Sequence, residues 1–383
     1  MQAQELSLKK IINYVRVHHP HYKALEEESI ALEAKAKAEY ARSQSSLSLS
    51  AAQAKPDGAD SGREYSASVM MPLDIAGTRG LEMESADLVT EATLLKKQIA
   101  LFAFGNRVRN LYHQSCLDRE RVRLFEESLR AFDKLLYKKR IAYKYHEVSK
   151  KELLQIEMEH NLLKERVVSM HSQYETSRSA LLNLTDMPKD SDSSLECKDL
   201  YPIKAKIKIE NEPFLLSNLS YQKEIEALAV KYRRYSRFSD PVGLSVGYDD
   251  EIDTKRYGVG VEIPLSFTSE RNQQQRLYLL HDKKVKKSHH MAWLLEANAK
   301  KEQLYARLRN DYRKIKALDE NMHRYENELM PLIEKSFQMG ESSLIEYLMG
   351  RSKLLEISVE LIESKQNYYQ SLFDLYTLIE TER

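Results

Sequence analysis

Two periods alternate along this chain. Near its end the apolar positions Leu344, Leu348, Leu355, Val359, Ile362, Tyr369, Leu372, Tyr376 and Ile379 follow one another in steps of three, four or seven. A seam of that period, kept up for about five heptads, predicts a long helix paired in a coiled coil. Residues 79–185 contain no proline and only Gly80 and Gly105 as weak spots, among many Leu, Glu, Lys, Arg and Ala. Those are strong helix formers. A second such interval starts at about residue 271 and is broken only by Pro331, Gly340 and Gly350.

Each interval holds one turn signal. In Met339-Gly340-Glu341-Ser342-Ser343 the glycine suits a helix end and the last serine suits the next helix start. In His146-Glu147-Val148-Ser149 a histidine stands at the glycine's place. Two helical hairpins with unequal arms follow, over 79–185 and 271–382. At 1.5 Å per residue the long arms span roughly 100 Å and the short arms about 55–60 Å. Helices predicted over 7–43 and 213–238 have the length to complete the cover of the long arms.

Between the short helix and the long arm of each half, the period drops to two. Ser46-Leu47-Ser48-Leu49-Ser50 and Tyr65-Ser66-Ala67-Ser68-Val69-Met70-Met71 alternate, as do Val242-Gly243-Leu244-Ser245-Val246-Gly247-Tyr248 and Tyr257-Gly258-Val259-Gly260-Val261-Glu262-Ile263. These predict strands over 46–53, 64–72, 242–249 and 256–264, joined in pairs by polar turns. One face is apolar and the other carries Ser, Gly or Glu. A lone two-stranded hairpin is not stable in water. An apolar exterior over a small polar interior is the pattern of a transmembrane β-barrel. Tyr65, Tyr248 and Tyr257 suit an interfacial girdle.

The two halves are copies. Pro72-Leu73 and Arg79 return as Pro264-Leu265 and Arg271, 192 positions on, while Glu147, Ser149, Glu152 and Leu154 return as Glu341, Ser343, Glu346 and Leu348, 194 positions on. The chain thus divides into a first repeat over 1–191, a linker over 192–212 and a second repeat over 213–383. In the linker Ile203-Lys204-Ala205-Lys206-Ile207-Lys208-Ile209-Glu210 alternates and predicts a short strand packed on the helices.

Composition narrows the classes. Charged residues make up 31% of the 383 yet nearly cancel, leaving a formal net charge of +1. A general nucleic-acid binder needs a clustered basic excess, so the run Lys283-Lys284-Val285-Lys286-Lys287 reads as a solvated helix face. The two cysteines, Cys116 on a helix and Cys197 in the linker, show no metal-ligand spacing and imply no disulfide framework. No apolar stretch approaches the ~18–20 residues of a membrane helix. Met1-Gln2-Ala3-Gln4-Glu5 has neither the basic start nor the apolar core of a signal peptide, which leaves open a cytosolic protein or a mature form.

Short helix, strand pair, Pro-Leu stop, very long helix, turn and shorter helix, twice over, resembles the TolC-type outer membrane factor family. The most specific piece is Phe337-Gln338-Met339-Gly340-Glu341-Ser342-Ser343-Leu344-Ile345-Glu346-Tyr347-Leu348, similar to that family's aromatic-x-x-Gly-x-x-Ser-x-x-Asp/Glu-x-Leu tip turn. Its degenerate twin runs from Tyr143 to Leu154, and 259–265 is similar to the family's strand-to-helix junction.

The resemblance implies a mainly α fold with a small β part: coiled-coil hairpins building an α-barrel, plus four transmembrane strands per chain in a trimeric 12-stranded β-barrel. It implies a passive exit duct for efflux or type I secretion, in the outer membrane of a Gram-negative bacterium. Its partners would be two further copies, outer membrane lipid, a periplasmic adaptor, and an inner-membrane pump of RND, ABC or MFS type reached through the adaptor. No cofactor, metal, nucleic acid or enzymatic step is expected. The family's acidic gate ring maps onto Glu346 and Glu152, with Met349 one turn beyond, where some members carry a second acid. Adaptor contact maps onto Glu147, Val148, Ser149 and Lys150, and onto Glu341, Ser342, Ser343 and Leu344.

Two rival readings stay bland. His18, His19, His21, His289 and His290 are adjacent or nearly so, and neighbours on a helix point to different faces rather than to one metal. A soluble coiled-coil scaffold or adaptor would share the seams and lack the strand pairs.

Overall fold

The computed structural model describes residues 6–39, 41, 44–55, 61–188, 194–207, 212–236, 242–263 and 270–381. Its elements run α1 (Leu8–His18), α2 (Pro20–Glu39), β1 (Ser46–Ala54), β2 (Gly62–Leu73), α3 (Thr78–Lys144), α4 (Lys150–Thr185), α5 (Leu215–Tyr235), β3 (Val242–Asp250), β4 (Lys255–Glu262), α6 (Glu270–Arg324), a π-helical turn (Tyr325–Leu329), α7 (Met330–Met339) and α8 (Leu344–Leu378). The helix expected over 7–43 is two helices. Pro20 has no N–H and forces His19 into an extended conformation (ψ 133°), which ends α1 and opens α2.

The chain divides into two compact units. One takes in Leu25–Gln98 and Leu216–Leu295, the other Met1–Ala24, Ile99–Leu215 and Glu296–Arg383.

The first of these units carries a single antiparallel sheet in the order β1-β2-β3-β4. Its register aligns like with like. Leu47 pairs Val69, which pairs Val246, which pairs Val259, and Leu49, Ala67, Tyr248 and Tyr257 form the next row. On the other face Ser48, Ser68, Gly247 and Gly258 make one row, and Ser50 Oγ lies 2.6 Å from Ser66 Oγ. A one-residue slip would exchange these faces, so the alternation itself sets the register. The apolar face is bare: Leu49 is 70% exposed and Val259 75%.

Asp74 turns β2 into α3. Its carboxylate accepts from the backbone N–H groups of Thr78 at 2.9 Å and Arg79 at 2.8 Å, two of the donors a helix start leaves orphaned. The second Pro-Leu stop, at 264–265, lies outside the described residues. Along α3 and α5 of this unit, small residues permit close approach. Ser85 Oγ donates to Ala227 O and Ser220 Oγ to Ala92 O. The Glu224 carboxylate receives both Lys96 and Lys286. Burial pushes it up, but those hydrogen bonds outweigh burial and hold it below the ordinary glutamate value.

In the other unit α1 lies on α3 and the end of α4, through Leu8, Ile11, Val15, Val108, Tyr112, Leu181 and Leu182. Towards the turns, Phe125, Phe132, Leu163 and Val167 gather Leu348, Leu355 and Val359 of the α8 seam, and Leu136, Ile156 and Leu344 close the end.

The linker departs from its sequence reading twice. Residues 203–207 form no strand, and 208–210 lie outside the described residues. The backbone of Lys204 is occupied by a side chain: its N–H donates to Tyr368 Oη at 2.9 Å and its carbonyl accepts from the same hydroxyl at 3.1 Å. The cysteines are also paired. Cys116 and Cys197 form a disulfide across 81 positions, tying the linker to α3. Beside it Leu195 bridges Leu6, and Tyr369 Oη donates to Tyr201 O at 2.6 Å.

His113 completes this clasp. Its Nδ1–H donates to Arg109 O at 2.8 Å, which leaves Nε2 to accept from Tyr201 N–H at 2.9 Å. The bond from Tyr201 requires the neutral ring, because a protonated Nε2 cannot accept. Burial, with the Arg109 charge alongside, lowers its pKa to about 4 in spite of the bond to Arg109 O.

Two outcomes are expected. Because the folded value lies below that of a free histidine, the neutral ring stabilises fully above about pH 6.5, and that stability is lost as pH falls towards 4. The loss is on the order of 3 kcal/mol. Denaturant midpoints measured from pH 7 to pH 4 should drop less in His113→Gln than in the parent. Replacing Cys116 and Cys197 together by serine should remove roughly 2–4 kcal/mol, read from the same titrations at pH 7.

Candidate functional site

The two hairpin turns are built alike despite their sequences. At the second, Gly340 takes the left-handed conformation (φ 76°), its N–H donates to Phe337 O at 3.2 Å, and Glu341 N–H donates to Ser336 O at 2.9 Å. At the first, His146 does the same (φ 62°), donating to Tyr143 O at 3.0 Å, with Glu147 N–H on Ala142 O at 2.9 Å. Every one of these partners differs by 194 positions. The histidine substitutes for glycine without changing the path, though a β-carbon there is strained.

The helices that follow start alike too. Ser149 caps α4 by accepting from Glu152 N–H at 3.1 Å, and Ser343 caps α8 by accepting from Glu346 N–H at 3.2 Å. From here the copies diverge. Glu346 turns back and accepts from Ser343 N–H at 2.9 Å, a complete capping box. Glu152 instead pairs with Lys139 Nζ at 2.6 Å, across to α3.

That lysine connects the two hairpins. Lys139 Nζ also lies 5.0 Å from the centre of the Phe337 ring, and Phe337 stacks on Tyr347 at 4.6 Å. Arg351 donates to Tyr347 Oη at 3.1 Å and pairs with Glu334. Carboxylate, ammonium, two aromatic rings, guanidinium and carboxylate thus run in one chain from α4 to α7. Cation–π contacts of this kind contribute about 0.5–1 kcal/mol each where exposed.

Of the expected gate residues, Glu152 is part of this chain of contacts and Glu346 is not. Met349 makes no contact in it: it is exposed and lines, with Ile345, Met158, Glu159 and Arg166, a groove of about 430 Å³ among α3, α4 and α8. Among the expected adaptor contacts Glu147, Ser149, Lys150, Glu341 and Ser343 are exposed, Val148 and Ser342 are half-buried, and Leu344 is buried against Leu136 and Ile156. Lys139, Glu334 and Arg351 were not singled out from the sequence. The four-residue step from Tyr347 to Arg351 was the available signal, since it puts both on one helix face. Among the described residues no cluster of three His, Cys, Asp or Glu side chains is arranged to hold a metal ion, and no helix is long and apolar enough to cross a membrane.

A glycine at position 146 should relieve about 1 kcal/mol of left-handed strain. His146→Gly is therefore expected to raise the melting temperature, whereas Gly340→Ala should lower it by a similar free energy. Calorimetry of the two variants checks both signs.

No protein-family model and no curated protein sequence matches this chain. Solved structures do. The outer-membrane channel OprN superposes with a TM-score of 0.81 at 13% identity, covering 98% of this chain and 90% of its own. The CmeC outer membrane channel of Campylobacter jejuni gives 0.78 at 14%, covering 97% and 85%. The open state of the MtrE outer membrane channel of Neisseria gonorrhoeae gives 0.75 at 14%, covering 99% and 92%. Over nearly its whole length, the chain has the fold of these outer membrane channels.

Proposed function

We propose that this protein is the outer membrane exit duct of a tripartite efflux or type I secretion system, conducting solutes passively from a pump–adaptor complex. The observation that carries the reading is the sheet. Among the described residues its four strands leave β1 and β4 with one unpaired edge each, and its apolar face is left exposed, with Leu49 and Val259 among the exposed side chains. Four strands are too few to close a barrel. A homotrimer supplies twelve, which removes both edges and turns the rows of Leu47, Val69, Val246 and Val259 to lipid. Ser and Gly then face the lumen.

A soluble scaffold has no use for such a sheet, and the likeness to solved outer membrane channels supports the same choice. The Cys116–Cys197 disulfide suits an oxidising compartment such as the periplasm. The partners under this reading are outer membrane lipid, a periplasmic adaptor docking at 147–150 and 341–343, and an inner-membrane RND, ABC or MFS pump beyond it. No step is bond chemistry. The tips part, and cargo diffuses through.

Glu152 and Glu346 act as the gate's carboxylates, in threefold rings that attract cations. Their roles differ. Glu152 also holds the closed arrangement through Lys139, whereas Glu346 caps α8 and a glutamine in its place still accepts from Ser343 N–H.

Extraction should yield detergent-stable trimers that run differently after heating. Full solubility without detergent would sink the duct reading. In planar bilayers, Glu346→Gln with Glu152→Gln should lower cation preference, and Glu152→Gln alone should raise the fraction of time open. Unchanged ion preference in the double variant removes the gate assignment.

A further inference from the structure

The second repeat's long arm is two residues longer than the first's, and the structure shows where one of them goes. In α3 the seam on the way to the turn runs Val122, Phe125, Leu129, Phe132, Leu136, in steps of 3, 4, 3 and 4. In the second repeat it runs Ile315, Leu318, Met322, Tyr325, Met330, in steps of 3, 4, 3 and 5. All ten side chains are buried or half-buried. The five-residue step is the π-helical turn Tyr325–Leu329, where Met330 N–H donates to Tyr325 O, five residues back. A π turn takes up one residue more than an α turn. It returns Met330, 4% exposed, to the position that Leu136 holds in the first repeat.

Two further features sit at the same level. Pro331 stands two residues after the π turn and contributes no N–H to the helix ladder. Across from it on α8 stands Gly350. A β-carbon there would lie 2.9 Å from Ile333 Cδ1 and 3.7 Å from Tyr325 Oη, so the two helices approach more closely than any other residue allows without displacement. In the first repeat the equivalent of Gly350 is Ile156, fully buried, against an uninterrupted α3. The second arm therefore has a weakened ladder and a smooth contact at one height, and the first arm has neither.

We infer that Tyr325–Leu329, Pro331 and Gly350 form a hinge, at which α7 and the Gly340 turn move relative to α6 while the first hairpin stays rigid. Converting the π turn to α expels one residue and rotates α7 by about 100°. Such a rotation carries Phe337 away from Lys139 and breaks the contacts that join the two turns. The hinge is thereby coupled to the Lys139–Glu152 pair. This role in opening rests on the duct reading above.

Hydrogen exchange on the full-length protein in detergent tests the hinge without any channel measurement. Amides of 325–333 are expected to exchange at least tenfold faster than those of 131–139, and equal rates overturn the inference. Deletion of Glu328 restores the 3-4-3-4 seam. It should abolish that difference and reduce opening events in planar bilayers at least tenfold. Pro331→Ala, which keeps the chain length and restores the N–H, should shift both readouts in the same direction by less. A deletion variant that folds and opens as often as the parent overturns the role in opening. A parent protein that forms no pore instead sinks the duct reading, and the exchange difference still decides the hinge.

Discussion

Everything here follows from the need to keep a narrow apolar seam covered along helices of 67 and 55 residues. A helix with one apolar stripe and charged flanks has no stable existence alone in water, because its stability comes from packing that stripe. The chain meets the need by doubling back, so that α4 and α8 lay their own seams on α3 and on each other. Where the unit built on the sheet brings α3 and α5 together, serine and alanine replace the large seam residues and let the backbones approach.

The two hairpins match at their turns, and the differences between them are informative. Both turns follow one backbone path, with His146 strained where Gly340 is not. Both following helices start on a serine with an acid three residues on, yet one acid closes a capping box and the other reaches Lys139. One long arm is α-helical throughout, and the other contains a π turn. In the duct proposed above, this difference makes one hairpin the fixed wall and the other the moving part.

Much of this was legible in the chain. The heptad steps from Leu344 to Ile379 marked α8, and the alternation of Ser with Leu or Val marked four strands and both of their faces. These signals are local: a period of two or 3.5 is set by the geometry of a single strand or helix. The 194-residue offset located both turns. Glu152 and Glu346 were legible as matching positions, but not in their contacts, since they sit in matching sequence contexts and take different partners. The linker was misread for a related reason. Its alternation from Ile203 resembles a strand, but a strand needs a neighbouring strand, and here Tyr368 occupies the backbone groups of Lys204.

The sequence by itself determined most of the elements and the faces they bury, because periodicity along the chain dictates which side of an element is apolar. The tertiary structure alone decided what pairs across distance. Cys116 meets Cys197, His113 is locked neutral under Tyr201, Lys139 joins Glu152 to Phe337, and the step of five at Tyr325 becomes a π turn rather than a slipped seam. None of these follows from local spacing. Each depends on two segments being brought within a few ångströms by the packing of seams elsewhere, and only then does the chemistry of the residues choose the bond.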